Sequence, residues 1–211
     1  MHSPLRLLRS NSLAALLGLL LLIPAIEVQA DPETGAEALV HVTSDAFFAR
    51  LKQDAAINAA NPANLLATAE ELVLPHLNFV AMSQRALGRH WKAMTDAQKG
   101  SFVHEFRTML LRTYAKTVND HRNATVDIKP ERRLSDKVSR IRTVVSRSAD
   151  GPPFLIDYEM HLESSGWKAY DVTLDGVSLV VSYRAGFNQD IGRIGIDGVI
   201  QQLKTRNQKP F

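Results

Sequence analysis

Ser165–Phe187, SGWKAYDVTLDGVSLVVSYRAGF, is the stretch whose reading decides the fold. From Trp167 to Leu174 the residues alternate. Lys168, Tyr170, Val172 and Leu174 fall on one face, and Trp167, Ala169, Asp171 and Thr173 on the other. A period of two marks a strand with one buried side. Asp175-Gly176 then turns the chain, because glycine permits the positive φ that tight corners need. Ser178 is placed to N-cap a helix, and Leu179, Val180, Tyr183 and Phe187 recur at helical spacing behind it. An apolar strand face thus hands over directly to an apolar helix face. Two such faces meeting at an angle enclose either a dry core or a lined cavity, and which of the two it is decides the function.

The period of two extends upstream. Phe154, Ile156, Tyr158, Met160 and Leu162 alternate strictly with Leu155, Asp157, Glu159, His161 and Glu163. Lys137–Arg147 reads as another strand, and Val126 and Ile128 alternate with Thr125 and Asp127 in a further one. The connections Asp150-Gly151-Pro152 and Ser164–Gly166 are short, which predicts antiparallel neighbours.

Before Asn119 the period is helical. Asp96–Asn119 forms the clearest helix, opened by a capping box of Thr95 and Gln98, with Phe102, Phe106, Met109, Leu110, Thr113, Tyr114 and Thr117 on one stripe. Earlier helices are expected over Val42–Leu51 (capped by Thr43 or Ser44), Ala63–Leu74 and Phe79–Trp91, with residues 31–41 polar and frayed. Asn58–Asn61 separates the first two, and Pro75 ends the second. The chain closes with helix from about Ser178, weakened at Gly192 and Gly195, and a last helix over Asp197–Arg206. The order is an α+β arrangement, with helices covering one face of a curved four-stranded antiparallel sheet. The other face carries Asp157, Glu159, His161, Glu163 and Asp171 and is expected to see water.

The 211 residues suit one domain. Arg6 and Arg9, the apolar run Leu13–Ile26 and the small residues up to Ala30 read as a secretory signal peptide cleaved after Ala30. Residues 31–211 would then form the single domain, with 23 basic and 21 acidic residues, too balanced for a nucleic-acid binder. The chain has no cysteine, which excludes disulfides, thiolate zinc sites, a cysteine nucleophile and a lipid-modified cysteine. A chain exported without disulfides or an anchor points to the periplasm.

Catalytic signatures are sparse. None of the seven histidines is spaced as a metal-ligand pair, and no serine sits in a Gly-x-Ser-x-Gly context. Gly192, Gly195 and Gly198 do not follow a strand, so they make a bend rather than a dinucleotide loop. Asp157, Glu159 and Asp171 could serve as acid/base groups, but they alternate away from the apolar face, where carboxylates keep ordinary acidity. Lys129–Arg147 is strongly basic and reads either as edge-strand charges that block aggregation or as a surface for an anionic partner.

Pro75–Lys116 (PHLNFVAMSQRALGRHWKAMTDAQKGSFVHEFRTMLLRTYAK), followed by GWKAYDVTLDGVSLVVSYRAGF and IDGVIQQLK, resembles the toluene-tolerance, or MlaC, family of periplasmic phospholipid carriers. The resemblance runs over roughly His41–Asn207. Its most specific pieces are Leu87–Trp91, Arg112-Thr113-Tyr114, Trp167–Val172 and Gly176-Val177-Ser178. The chain departs from the family at Asn78, often Asp there, and at Ala185-Gly186. The resemblance implies an apolar lipid pocket between helices and sheet, holding glycerophospholipid tails with the headgroup in water. It implies no cofactor and no catalysis. Its partners would be an inner-membrane ABC transporter with an MCE-domain ring and an outer-membrane lipoprotein–porin complex, and its role the maintenance of outer-membrane lipid asymmetry. A shuttle of this kind is expected to be a monomer.

Inward periodicity selects Phe106, Leu110, Tyr114, Tyr158, Met160, Tyr170, Val172, Leu174, Val177 and Phe187 as the tail-lining set. Arg132, Arg133, Lys137 and Arg140 are the candidate docking residues. Burying two chains of about thirty methylenes from water at ~0.8 kcal/mol each would exceed any practical affinity. The lipid starts in a bilayer, however, and gains little by moving between apolar media. Direction must then come from partners. The competing readings are a cone-fold isomerase or dehydratase, which needs an acid or histidine facing the pocket, and an adaptor with a solid core.

Overall fold

The computed structural model describes residues 35–146 and 152–209. The expected signal peptide, Arg147 and the Asp150-Gly151 turn lie outside the described residues. Five helices come first: α1 (Ala36–Gln53), α2 (Ala55–Ala60), α3 (Pro62–Leu72), α4 (Phe79–Leu87) and α5 (Asp96–Asp120). Six strands come next: β1 (Thr125–Ile128), β2 (Arg132–Ser135), β3 (Val138–Ser146), β4 (Phe154–Glu163), β5 (Gly166–Leu174) and β6 (Val177–Ser178). Helix α6 (Arg184–Asn207) closes the described chain.

The strands form one antiparallel sheet in the order β1-β3-β4-β5-β6, with β2 also paired to β3. The four expected strands are present, and β2 and β6 are additional. All four residues of β2 are exposed, so it shows no alternation, and β6 has only two residues. β1 and β2 occupy successive stretches of β3. Pro130, which cannot donate to the ladder, lies between them.

The long-helix expectation is met at α5, where Thr95 N donates to Gln98 Oε1 at 3.0 Å and Gln98 N to Thr95 Oγ1 at 3.2 Å. Other boundaries move. α1 begins at Ala36, upstream of the expected start, because Ala36, Leu39 and Val40 are buried against the sheet. Thr43 and Ser44 are therefore helix interior rather than caps. The stretch before Asn61 is helical, and Asn61 itself caps α3 through Ala63 N. α4 stops at Leu87, where Gly88 takes φ +55°, and a 3-10 segment carries the chain to Ala93. Ser178 belongs to β6, and its Oγ accepts from Val181 N at 2.9 Å, so its hydroxyl caps a 3-10 turn at Val181–Tyr183 that precedes α6 rather than α6 itself. Within α6 the backbone leaves helical geometry at Gly195 (φ 71°, ψ 175°), the weak point expected there.

One irregularity redirects β5. Glu159 faces Asp171 and Met160 faces Ala169, so Tyr170 is an extra residue on β5. Such a bulge resets the alternation of side chains. Trp167 and Ala169 therefore point inward before it, and Val172 and Leu174 inward after it. Unbroken alternation would place Tyr170 inside. It lies instead beneath the Arg85 guanidinium, 5.0 Å from its ring centroid.

Asp171, expected in water, is 2% exposed. Ser178 Oγ lies 2.8 Å from both of its carboxylate oxygens, and Arg85 Nη2 is 3.2 Å away. Arg85 also approaches Glu159 at 3.5 Å, and Arg140 meets Glu159 at 2.6 Å. This network fastens α4 and β6 to the outer face of the bulged region. Asn78 caps α4 through Ala81 N and donates to Glu163 Oε1 at 2.6 Å. An aspartate there would set two like charges together.

Three apolar clusters hold the layers. The first joins α4, α5 and α6, centred on Phe102, Phe106 and Phe187. The second joins α1 to the sheet through Leu39, Val40, Ile141, Met160 and Trp167. The third joins α1, α3 and α5 through Leu51, Leu65 and Ala115.

Two outcomes test this arrangement. Asp171→Ala strands Ser178 and Arg85 around a lost carboxylate and should destabilise the protein by about 2 kcal/mol, read from the urea midpoint; an unchanged midpoint would count against the anchoring role. The second test concerns Asp157, which the Arg142 side chain (2.7 Å) holds below the usual carboxylate range. A lowered folded-state value means the stabilisation is complete above the ordinary carboxylate range and is lost as pH falls through the folded value. Asp157→Asn should therefore be less stable than wild type at pH 7, with the difference closing only as pH falls below the ordinary carboxylate range. A pH-independent difference would show that the charge is not responsible.

Candidate functional site

The three clusters surround a space they do not fill. A cavity of about 340 Å³ lies between the inner face of the sheet and the helices α1, α3 and α5. The described residues that line it include no Asp, Glu, Lys or Arg. One wall is Val126, Thr143, Val145, Phe154, Ile156, Tyr158, Met160, Ala169, Val172 and Leu174. The opposite wall comes from Leu39, Val40, Phe47 and Phe48 on α1, Leu65, Leu66 and Ala69 on α3, and Leu110, Tyr114 and Val118 on α5, with Val73 and His121 just past the ends of α3 and α5.

The line where wall becomes solid core crosses the sheet in order. Val126 lines the cavity and Ile128 does not. Thr143 lines it and Ile141 does not. Met160 lines it and Leu162 does not; Ala169 lines it and Trp167 does not. Beyond this line Ile141 is 0% and Trp167 5% exposed, packed against α1. Toward the other end, Phe154, Val126, Leu179 and His121 are only half-buried. The packing of Ile141 and Trp167 closes the cavity at Met160 and Ala169, whereas Val126, Phe154, Leu174 and His121, near the end of α5 and the start of β4, belong to none of the three clusters, and the open end lies on that side.

Of the ten expected tail-lining residues, Leu110, Tyr114, Tyr158, Met160, Val172 and Leu174 stand on the cavity wall. Four stand elsewhere. Phe106 and Phe187 pack into the helical core with Phe102 and Tyr183. A helix of 25 residues is about 37 Å long, so one apolar stripe of α5 meets two environments. Its first half fills the core, and its second half faces the cavity. Tyr170 is turned away by the bulge. Val177 lies on short β6 and is 60% exposed.

Most of the helical wall escaped the inward-periodicity set. Phe47, Phe48, Leu65, Leu66, Ala69 and Val73 are legible as helix stripes, but nothing in a stripe says that it borders a space. His76 and His121 escaped it too. His121 stacks edge-on against Phe154, with its Nδ1 2.9 Å from the Thr117 carbonyl.

Three polar groups on the wall, Tyr158, Tyr114 and His76, are pushed toward their neutral forms. Burial pushes the Tyr158 phenol up to about 12, beside Thr143. Burial also raises Tyr114 to about 12, helped by the adjacent Tyr183. Burial, with Lys168 second, pushes the His76 imidazole below its ordinary value. Removing the charged form from a dry wall is the expected effect of desolvation.

The candidate docking residues Arg132, Arg133 and Lys137 are exposed on the β2–β3 hairpin. Arg133 pairs with Glu131 at 3.3 Å. Arg140 differs, being held in the ion-pair network through Glu159. Among the described residues no cluster of metal-ligating side chains occurs, and no helix is long and apolar enough to cross a membrane.

A family model described as "MlaC protein" matches residues 41–205. A relative from Haemophilus influenzae, named "Intermembrane phospholipid transport system binding protein MlaC", is 22% identical over 182 residues, which is 85% of each chain. A solved structure from Ralstonia solanacearum, a phospholipid-binding protein in complex with a phospholipid, matches with a TM-score of 0.74. It is 31% identical and covers 82% of this chain and 96% of that one. A family match over most of its length, and a shared fold at this identity, establish that the chain belongs to the MlaC family.

Proposed function

We propose that this protein binds a glycerophospholipid, with acyl chains in the cavity and the headgroup at its open end. The carrying observation is the large, mostly apolar space between sheet and helices, with no described Asp, Glu, Lys or Arg on its wall. An apolar space of about 340 Å³ left without an occupant forfeits the packing contacts of its whole lining. Apolar cavities gain nothing from water, so a hydrocarbon occupant is what such a space favours. The phospholipid in the Ralstonia solanacearum relative supports the same reading.

The wider role extends this reading. The protein acts as a soluble, monomeric carrier in the periplasm, exported by a signal peptide cleaved after Ala30. It moves phospholipid between the outer and inner membranes and so maintains outer-membrane asymmetry. It exchanges cargo with an inner-membrane ABC transporter that has an MCE-domain ring, and with an outer-membrane lipoprotein–porin complex. Since tails move between apolar surroundings, direction is set by these partners rather than by the cavity. Arg132, Arg133 and Lys137 form the docking surface toward a negatively charged partner. The isomerase reading asks for an acid or a histidine facing the pocket, and His76 and His121 do line it; we favour a carrier because no described carboxylate lines the cavity to partner them and the rest of the wall is almost entirely apolar.

Val172→Trp fills the cavity from β5 and should strongly reduce the phospholipid released on denaturing the purified protein, while circular dichroism stays native. Undiminished lipid in a folded variant would remove Val172 from the binding site. Reversing charge at Arg132, Arg133 and Lys137 together should slow transfer to partner complexes and leave lipid content unchanged. Normal transfer would reduce these residues to a solvated edge.

A further inference from the structure

We propose that Met160 and Ala169 act as a length gauge, setting how long an acyl chain this protein accepts. The inference rests on the phospholipid reading and adds specificity to it. These two residues face each other across β4 and β5, directly beside the bulge. Each is 2% exposed, and both contribute to the closed end of the cavity.

Behind them there is no room to yield. The next inward positions, Leu162 and Trp167, belong to the cluster that packs α1 on the sheet, where Ala36 and Ile141 are fully buried. A chain end that reaches this point meets close-packed side chains, and such interiors do not deform to admit another methylene. The opposite end is open, so surplus length must emerge into water. Each methylene left outside lowers affinity by about fourfold.

The two residues set the stop differently. Ala169 is a poor strand former whose small side chain leaves space in front of it, beside the segment at Leu77 that bridges to its backbone. Met160 is long and flexible and adapts to irregular gaps. Ala169 thus fixes the depth available, and Met160 adjusts the stop over a range of chain ends. The bulge is what brings Ala169 rather than Tyr170 to this position.

The test compares wild type, Ala169→Leu and Met160→Ala purified from the same cells. Lipid is released by denaturation, and mass spectrometry reads both phospholipid per protein and the acyl-length distribution. Thermal melts establish folding, with Ala169→Val and Met160→Val replacing any variant that does not fold. Ala169→Leu should shift the distribution to shorter chains and Met160→Ala to longer ones, with phospholipid still bound in each. General destabilisation would move both the same way, so opposed shifts are specific. Bound phospholipid with unchanged distributions, or with shifts in one direction, would overturn the gauge and leave the carrier reading standing. Wild-type protein that neither carries phospholipid nor takes it up from phosphatidylglycerol–phosphatidylethanolamine vesicles would overturn both.

Discussion

The structure depends on keeping its two layers apart where they would otherwise close. An apolar sheet face and apolar helix faces attract each other without direction, and a collapsed core would bury more surface than a hollow one. The three clusters prevent this. The aromatic cluster of Phe102, Phe106 and Phe187 holds α5 against α4 and α6, while Ile141 and Trp167 hold α1 on one end of the sheet. α3 is carried between α1 and α5 on Leu51, Leu65 and Ala115. What remains between these supports is the cavity. Its hollowness is a property of the supports, more than of the residues that line it.

The bulge at Tyr170 serves the same end. Asp171, Ser178 and Arg85 converge on the outer side of β5 and pin it. A buried carboxylate with only water lost and nothing gained would destabilise the fold; here a hydroxyl and a guanidinium complete it. On the inner side the result is that Ala169, Val172 and Leu174 all face the cavity, with Trp167 in the packed region behind Ala169. Electrostatics on one face of the strand thus place the apolar boundary on the other.

Much of the fold was legible from periodicity. The strict alternation of Phe154–Glu163 gave β4, and the capping box at Thr95 gave the start of α5. Gly195 marked the break in α6. The elements missed were those periodicity cannot carry: the short strands β2 and β6, and the first turns of α1, where Ala36 is helical because the sheet covers it. Of the residues that inward periodicity selected, Tyr158, Met160, Val172 and Leu174 stand on the cavity wall; Tyr170 does not, because a bulge is set by pairing with a neighbouring strand, and Phe106 and Phe187 do not, because a helix stripe does not record what it packs against.

By itself the sequence determined an α+β fold with a one-sided apolar sheet, and the resemblance carried by Pro75–Lys116 and Trp167–Val172 pointed to the MlaC family. Those features rest on local backbone preference and on side-chain order along the chain, both written in the primary structure. Only the tertiary structure decided that the apolar faces leave a space, where it closes and which residues border it. A void is defined by the distance between elements far apart in sequence, and the same apolar residues would read alike in a solid core.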